Sequence, residues 1–533
     1  MNTAAALANV LWLGRSRGAA RRFARALSEP RGAQEAWLRV QLARHATSEF
    51  GRTHDFAGIG DAGAFARRVP LTDYAGVAPS LARIRRGERD LLSCGRVSHL
   101  VPTSGSTGAR KLIPFTAALQ EGFDAAVGPW MTDLARQRPA LRWGPAYWSV
   151  SPLADDDSAS GGVGAVPVGF ADDADYLGGT GAWLVRQALA VPGSLRRVRD
   201  TSAFWGLTLL ALLRQRDLRL MSVWHPSFLD LLVGAAGPHW DVLLEAIERG
   251  GVGPWAAALP RAAEPTWSVA PDRVRAAALH RLGPADWPRW WPRLQVVSCW
   301  GDQAAASGWR RLVDRLPDVL VQPKGLLATE AVVTIPYRDT MPLAITSHYF
   351  EFLDDAGSVR GAHQLERGGK YEVVVSNGGG LWRYRIGDVV ECTGHLRATP
   401  TLRFLGRAAR GSDLRGEKLS EVFVAEVLRS LWPVTSPPAY AALQAWDLAS
   451  GAGYDLLVSA DGIGESPEHL TTRLDAALGA NPHYALARRL GQLAAPRIVP
   501  VAGDRARDEL AARSGRLGDV KPRVLINAGS AER

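Results

Sequence analysis

A chain of 533 residues is long enough for more than one domain and for a large buried core. Its 47% hydrophobic and 22% charged residues are typical of a globular protein, and three scattered cysteines exclude a disulfide framework and a cysteine-rich metal site. The net charge of +10 comes from arginines interspersed with acidic residues. It therefore favours attraction of anionic small molecules over a nucleic-acid interface, and the cysteine usage predicts a cytoplasmic protein.

The beginning of the chain predicts a helix rather than an export signal. Residues 4–13 are apolar and residues 15–25 are basic, the reverse of the charge order in a signal peptide. A helix packed on the large domain is favoured over an amphipathic helix that touches a membrane. No apolar run reaches the ~18 residues that cross a bilayer, so stable membrane insertion is not expected. Two further helices are predicted at residues 34–47 and 116–137.

Between these two helices lies a loop of small and hydroxyl residues that ends in a lysine. The loop consists of Thr103, Ser104, Gly105, Ser106, Thr107, Gly108, Ala109, Arg110 and Lys111. Its hydroxyls and amides can surround phosphate oxygens, and Lys111 would bring mobile positive charge to them. It is not a Walker A loop, since two residues separate Gly108 from Lys111. A plain Ser/Gly turn is the alternative.

Lysine is scarce in this chain, which has 58 arginines and five lysines. A compact ammonium and a planar guanidinium are not interchangeable, so the retained lysines are candidates for positions that need a point charge. Lys111, Lys324, Lys418 and Lys521 lie in unusual local contexts, whereas Lys370 follows two glycines and is interpreted as an ordinary turn residue. Codon bias that left five lysines at random is the alternative.

Apolar runs in the middle of the chain predict strands at residues 294–298, 319–322, 331–335, 371–376 and 388–392. Because helices and strands interleave up to about residue 405, they predict an α/β fold with a large, multi-layered N-terminal domain.

The last part of the chain predicts a separate unit. Residues 406–416 are rich in glycine and charge, which is typical of a hinge. Beyond them, the predicted domain boundaries are 1–409 for the large domain and 410–533 for a small, mobile α+β C-terminal domain of about a hundred residues. Its predicted helices and strands are at residues 421–431, 439–446, 454–459, 468–478 and 497–501.

Several segments resemble the adenylate-forming superfamily, which includes acyl-CoA synthetases, peptide-synthetase adenylation domains and luciferases. The loop at residues 103–111 is similar to its phosphate loop. The segments that follow in the superfamily's order are Ala328-Thr-Glu330, Tyr384-Arg-Ile-Gly-Asp388, Gly406-Arg407 with Gly416-Glu-Lys-Leu419, and Lys521.

A finer resemblance is to the auxin-responsive Gretchen Hagen family of acyl-acid amido synthetases, particularly its bacterial members. It rests on six segments spread over nearly the whole chain, which together are far more specific than any one of them. They are Val69-Pro-Leu-x-x-Tyr74, Ile84-x-x-Gly-Glu88, Gly325-Leu-Leu-Ala-Thr-Glu330, Gly380-Leu-Trp-Arg-Tyr-Arg-Ile-Gly-Asp388, Gly416-Glu-Lys-Leu-Ser-Glu421 and Lys521-Pro-Arg523.

The resemblance implies ATP and Mg²⁺ as cofactors and suggests residues for them. Glu330 would help hold the metal, Thr329 and Arg407 would contact the nucleotide, and Asp388 would accept hydrogen bonds from the ribose hydroxyls. Lys521 would be the catalytic lysine of the C-terminal domain and would bridge the substrate carboxylate and the ribose side.

Lys111, at the end of the phosphate loop, is the second predicted catalytic lysine. Each assignment has a structural alternative. Glu330 could be a salt-bridged residue at a strand end, and Asp388 a turn cap. Arg407 could form a surface ion pair, and Lys521 could be a solvated lysine of the C-terminal tail.

The resemblance also implies an acyl pocket lined by Trp224, His225 and Trp300, for which simple core packing is the alternative. The chain departs from the superfamily at two places. Leu326-Leu-Ala328 stands where an adenine-stacking aromatic residue is usual, so adenine packing is expected to be aliphatic or to come from Tyr349. The usual Asp or Lys of the hinge falls on Arg410 by spacing.

The sequence therefore predicts an ATP- and Mg²⁺-dependent ligase that makes an acyl adenylate and transfers the acyl group to an amine, most simply an amino acid. An acyl-CoA ligase that forms a thioester, and a nucleotide-binding protein without catalysis, are the two alternatives. The expected partners are a small carboxylic acid and an amine acceptor, with no nucleic acid, and the chain is expected to be a monomer.

Overall fold

The structure is a computed structural model of the chain. It describes residues 2–103, 111–149, 166–168, 179–259, 267, 270–302, 305–407, 411–415, 417, 419–433, 436–448, 451–460, 463–464, 466–489, 491–502 and 523–527.

The helices lie mainly in the first two thirds of the chain. They are α1 Thr3–Ala26, α2 Pro30–His45, α3 Glu49–Thr53, α4 Ala62–Arg68, α5 Tyr74–Arg85, α6 Ala117–Gln137, α7 Gly179–Ala188, α8 Thr201–Arg214, α9 Pro226–Gly234, α10 Ala236–Arg249, α11 Arg273–Leu282, α12 Ala306–Arg315, α13 Glu421–Ser430, α14 Pro467–Leu478 and α15 Pro482–Arg489.

Within the described ranges, the strands form five separate sheets. They are β1 Val97–Pro102, β2 Leu112–Thr116, β3 Ala146–Trp148, β4 Leu220–Ser222, β5 Val296–Cys299, β6 Leu320–Pro323, β7 Tyr349–Leu353, β8 Val359–Gly361, β9 Lys370–Ser376, β10 Tyr384–Leu396, β11 Thr399–Arg407, β12 Gly411–Ser412, β13 Leu419–Ser420, β14 Ala441–Leu448, β15 Gly451–Ser459, β16 Arg497–Val501 and β17 Leu525–Ile526.

A four-stranded parallel sheet in the order β3-β4-β5-β6 forms one layer of the large domain. Its strands are short, and the two central ones, β4 and β5, are completely buried, which is typical of a sheet covered on both faces. A large apolar cluster includes residues of this sheet and of the strongly apolar helix α8, whose first turn is capped by Asp200. Ligands of parallel sheets usually lie at the carboxyl ends of the strands, which makes this edge a candidate ligand site.

A five-stranded antiparallel sheet in the order β11-β10-β9-β7-β8 forms a second layer. The long hairpin of β10 and β11 pairs Asp388 with Arg407 at its open end. The apolar cluster on this sheet also takes in Phe23 of α1, whose ring meets that of Tyr337 edge-on at 5.1 Å. The first helix therefore packs on the large domain, as predicted. No helix among the described residues has both the length and the apolarity that crossing a membrane requires.

The last part of the chain forms a four-stranded mixed sheet in the order β16-β15-β14-β17, with α13, α14 and α15. Its apolar clusters are made of residues from 414 onwards, and no cluster among the described residues has members on both sides of residues 408–410. The mixed α/β fold class predicted from the sequence is confirmed. The predicted helices and strands of this region agree with the structure to within a few residues.

One predicted strand is wrong. Residues 331–335 are apolar and buried, but they form only isolated bridges, of Val332 with Leu327 and of Thr334 with Leu343. The segment is the return arm of a tight turn, so its backbone groups pair locally instead of joining a sheet. An apolar run of this length indicates burial but does not by itself indicate sheet pairing.

Candidate active site

Asp388 and Arg407 face each other at the open end of the β10–β11 hairpin. Oδ1 of Asp388 lies 2.9 Å from Nε of Arg407, and the Asp388 side chain is almost completely buried while that of Arg407 is partly exposed. The negative charge of Asp388 raises the pKa of Arg407. Oδ1 of Asp388 nevertheless accepts no well-aligned hydrogen bond among the described residues. This buried acceptor is therefore suited to receive hydroxyl groups of a ligand.

Glu330 lies at the tip of a tight turn. Ala328 N–H donates to the Ala331 carbonyl at 2.9 Å, and Val333 N–H donates to the Leu326 carbonyl at 2.8 Å. A Cβ at Gly325 would lie 2.0 Å from the carbonyl oxygen of Thr334, so only glycine permits this close approach of the two arms. The Gly-Leu-Leu-Ala-Thr-Glu segment is thus built to hold Glu330 at the turn.

A residue of the neighbouring strand end anchors this turn. Asn377 is completely buried, and its Nδ2 donates to the Glu330 carbonyl at 2.7 Å. Its Oδ1 accepts from the N–H groups of Gly379 and Leu381 at 2.9 and 3.1 Å. Asn377 therefore ties the carboxylate-bearing turn to the loop that leads into β10. The sequence analysis did not select Asn377, although it immediately precedes the Gly378-Gly-Gly380 run.

Lys111 lies where the predicted phosphate loop rejoins the fold. Thr103 N–H donates to the Lys111 carbonyl at 2.9 Å, which closes the base of the loop between β1 and β2. Nζ of Lys111 lies 5.6 Å from the ring centroid of Tyr74, whose hydroxyl accepts from Leu112 N–H at 3.0 Å. The other predicted loop residues, Ser104, Gly105, Ser106, Thr107 and Gly108, lie outside the described residues.

These groups share one electrostatic environment. Burial raises the pKa of the Glu330 carboxyl above its usual range; Asp388 adds to this rise, while Arg407 and Lys111 oppose it. The Glu330 side chain makes no ion pair with another side chain among the described residues. A buried carboxylate with raised pKa and no paired cation has a high free energy as an ion, which binding of a cation would lower. Thr329 lies half-buried beside it.

No group of three or more metal-ligating side chains occurs within the described ranges. Mg²⁺ commonly binds through one or two carboxylates together with substrate phosphates. Glu330, next to the base of a predicted phosphate loop, fits that mode of binding.

The three predicted acyl-pocket residues come together at the carboxyl edge of the parallel sheet. Trp300 N–H donates to the Trp224 carbonyl at 2.9 Å. Trp224 is 43% exposed, whereas Trp300 is buried and meets the Phe404 ring edge-on at 5.5 Å. His225 caps α9, with its Nδ1 accepting from Ser227 N–H at 3.2 Å. His225 thus has a structural function, while Trp224 and Trp300 mark the edge at which a ligand can lie.

Two lesser interpretations require correction. Tyr349 is buried in a core cluster that includes Phe65 and Trp382, which does not support the suggestion that it packs against adenine. Lys370 is not an ordinary turn residue, since it begins β9 and its Nζ lies 2.7 Å from a carboxylate oxygen of Glu426 in α13. This pair joins the antiparallel sheet to α13, which lies beyond residue 410. The two residues are 56 positions apart in the sequence, so the sequence analysis could not predict the pair.

The remaining predicted residues, Lys418, Arg410 and Lys521, lie outside the described residues. Glu417, which precedes Lys418 in the sequence, has a buried side chain. Its carboxylate accepts from the N–H groups of Leu414 and Arg415 at 2.8 and 2.7 Å and from the Tyr454 hydroxyl.

The described part of the site thus contains a buried carboxylate oxygen of Asp388 without a well-aligned hydrogen bond, the buried carboxyl of Glu330, and Lys111 at the base of a loop of small residues. The GH3 family N-terminal domain matches residues 19–319 and the GH3 family central domain matches residues 341–407. The chain belongs to the GH3 family, which confirms the family predicted from its motifs.

Curated relatives agree with this membership. The chain is 26% identical over 467 residues to a probable indole-3-acetic acid-amido synthetase, GH3.12, of Oryza sativa subsp. japonica, and the match covers 75% of this chain and 72% of that protein. It is 25% identical over 415 residues to the indole-3-acetic acid-amido synthetase GH3.15 of Arabidopsis thaliana, covering 70% of this chain and 67% of that protein.

Solved structures show the same fold. The AtGH3.15 acyl acid amido synthetase in complex with 2,4-DB superposes with a TM-score of 0.80 at 18% identity, over 96% of this chain and 94% of that chain.

Proposed function

We propose that this protein is an ATP-dependent acyl-acid amido synthetase. It activates a carboxylic acid as its acyl adenylate and transfers the acyl group to an amine, which we propose to be an amino acid. The observation that carries the proposal is the convergence of Glu330, Asp388, Arg407 and Lys111 in a chain of the GH3 family. The amide outcome is supported by the amido synthetase activity named for its curated relatives.

Activation is needed because a carboxylate is a poor electrophile. Attack of its oxygen on the α-phosphorus of ATP releases pyrophosphate and leaves AMP as a good leaving group. The step brings two anions together, so the site must supply positive charge and alignment. Lys111 and Arg407 supply cationic groups, and Asp388 orients the nucleotide by accepting from the ribose hydroxyls. Mg²⁺ held by Glu330 and phosphate oxygens would neutralise charge on the triphosphate.

The second step needs an unprotonated amine. The amine nitrogen attacks the acyl carbon of the adenylate, a tetrahedral intermediate forms and AMP leaves, with one proton lost from nitrogen. We propose that Lys521 serves the first step and that the small domain, residues 410–533, then moves about the segment near Arg410 to admit the acceptor. The absence of an apolar cluster shared across residues 408–410 among the described residues supports this division.

Thr103, Thr329 and the loop residues 104–108 complete the proposed ATP site. We also propose that the protein acts as a monomer in the cytoplasm and binds no nucleic acid, in accord with its dispersed charge.

The proposed function is tested by pyrophosphate exchange across a library of carboxylic acids, followed by addition of amino acids and, in parallel, of CoA. We expect exchange with a subset of acids and an amide product identified by mass. The rate of amide formation should rise with pH as the acceptor ammonium loses its proton. Exclusive thioester formation would instead identify an acyl-CoA ligase. Absence of exchange with every acid would exclude both enzyme functions.

A further inference from the structure

Lys324 is a buried cation to which the proposed reaction assigns no function. It directly follows β6, and its N–H donates to the Cys299 carbonyl at 2.8 Å, which extends the pairing of β5 and β6 by one residue. The residue is 8% exposed, and its Nζ lies 4.7 Å from the ring centroid of Trp224. The ammonium therefore lies at the carboxyl edge of the parallel sheet, against the face of a half-exposed indole.

Within the described part of the chain, this ammonium makes no hydrogen bond or ion pair. Burial lowers the pKa of Lys324 to about 8, and the neighbouring Cys299 thiol has its own pKa raised by burial, so it offers no negative charge at neutral pH. A buried ammonium without a counter-ion is costly in free energy, and a single contact with an aromatic face offsets only part of that cost.

Two buried arginines among the described residues show how this chain satisfies other buried cations. Arg383 donates to Glu351 and to the carbonyls of Ala66 and Val69. Arg275 donates to the carbonyls of Leu213 and Trp290. Among the described residues, Lys324 is the buried cation that lacks such acceptors, which points to an acceptor supplied by a ligand.

The position of Lys324 restricts that ligand. Glu330 is the sixth residue after Lys324, so their Cα atoms lie at most about 22 Å apart, and the turn at Glu330 shortens this distance. Trp224 and Trp300 lie at the same sheet edge. An acid whose reacting carboxylate lies near Glu330 and whose body lies along the tryptophan side chains would present its far end to Lys324.

We propose that Lys324 and Trp224 form a subsite for a second anionic oxygen group, remote from the reacting carboxylate, on the acyl substrate. The inference rests on the proposed function and names its substrate class: acids with an apolar or aromatic body and an anionic group at the distal end. A compact ammonium on a flexible stem suits a single carboxylate beside an indole better than the planar fork of arginine does. This explains why a chain with 58 arginines keeps a lysine here.

The test compares pairs of monocarboxylic and dicarboxylic acids with the same carbon skeleton, linear and arylalkyl, in pyrophosphate exchange without acceptor. We expect the wild-type enzyme to favour the dicarboxylic member, and Lys324→Met to raise the KM for that member by about 30-fold, as expected for loss of a charge-assisted hydrogen bond. The KM for the monocarboxylic member should change by less than about 3-fold. Dicarboxylic acids should also raise the melting temperature of the wild-type protein, but not that of Lys324→Met.

Two controls separate a binding function from a structural one. Arg338→Met removes an exposed cation from above the Tyr337 ring and should leave the preference between the two acids unchanged. Lys324→Met without ligand should melt at the same temperature as the wild type or higher, because it removes an unpaired buried charge. A lower melting temperature together with an unchanged acid preference would show a structural function and overturn the inference.

Other outcomes are equally decisive. An equal rise in KM for both members of a pair in Lys324→Met would overturn the inference. A rise confined to the KM of the amino-acid acceptor would also overturn it, because it would assign Lys324 to binding the carboxylate of the acceptor. If the wild-type enzyme exchanges pyrophosphate with no acid, the proposed function fails and the inference fails with it. If the wild-type enzyme is active and its preference for the dicarboxylic acid is unchanged in Lys324→Met, the inference is refuted while the proposed function stands.

Discussion

Glu330→Gln is expected to lower the rate of adenylate formation by ~100-fold or more, the usual scale for losing a group that stabilises charge in the transition state. Glutamine keeps the shape of the side chain and the backbone anchor on Asn377, but it removes the negative charge that would hold Mg²⁺. Initial rates of pyrophosphate exchange, measured over a range of Mg²⁺ concentrations, provide the test. We expect the Mg²⁺ concentration needed for half-maximal rate to rise in the variant.

The same substitution should affect stability in the opposite direction. The pKa of Glu330 is raised in the folded protein, so the folded state binds the carboxyl proton more tightly than the unfolded state does. The ionised carboxylate therefore costs stability once pH has risen through the folded-state pKa, and this cost is absent at acid pH below the unfolded-state value. The melting temperature of Glu330→Gln without ligand should equal or exceed that of the wild type at neutral pH, with the difference growing from acid to neutral pH.

Glu366→Gln is the matched control, because Glu366 is an exposed carboxylate and the substitution removes the same charge. It should alter neither the rate nor the Mg²⁺ dependence. Full pyrophosphate-exchange activity in Glu330→Gln would contradict the proposal that Glu330 binds Mg²⁺. A large fall in its melting temperature would instead indicate that the carboxylate stabilises the fold.

Lys521→Ala is expected to lower adenylate formation by more than ~100-fold, because in the proposed reaction the transition state would lose the positive charge that neutralises the approaching carboxylate and phosphate. Lys521→Arg should recover little of this loss, since a planar guanidinium cannot occupy the position of a compact ammonium. Pyrophosphate exchange measures the first half-reaction, and release of amide from preformed acyl adenylate measures the second. The second half-reaction should be far less affected than the first.

Arg281→Ala, at an exposed position in the last turn of α11, is the control for loss of a cation. Lys370→Ala is unsuitable for that purpose, because it would break the ion pair with Glu426. Full activity of Lys521→Arg would contradict the function assigned to Lys521. Equal losses in both half-reactions would contradict its restriction to the adenylation step.

The sequence alone was sufficient wherever the relevant interactions are local. The helices α13 and α14 begin at Ser420 and Ser466, whose side chains cap the first turn and can be recognised in the sequence. The segment Gly325 to Glu330 was selected by its resemblance to a family motif of contiguous residues, and the structure adds the tight turn that this segment forms. Its order relative to the other motifs was enough to identify the family.

Contacts between distant segments could not be predicted in this way. Asn377 anchors Glu330 across 47 residues, and the Lys370–Glu426 pair spans 56. A single sequence contains no signal that selects one asparagine or one glutamate over its neighbours for such a partner. The apolar segment at residues 331–335 was wrongly predicted to be a strand. Apolar residues are favoured at buried positions whether or not a neighbouring strand is available for pairing, so an apolar run does not distinguish the two cases.

The sequence by itself determined the fold class through its periodicity, and the family through the order of short motifs, whose resemblance also supplied the candidate groups of the site. Only the tertiary structure decided which charges are paired. Arg407 has Asp388 within 2.9 Å, whereas Glu330 and Lys324 are buried with no ion pair among the described residues. The free energy of a charge depends on its burial and on the partners that folding brings to it, and neither is a property of neighbouring residues in the chain.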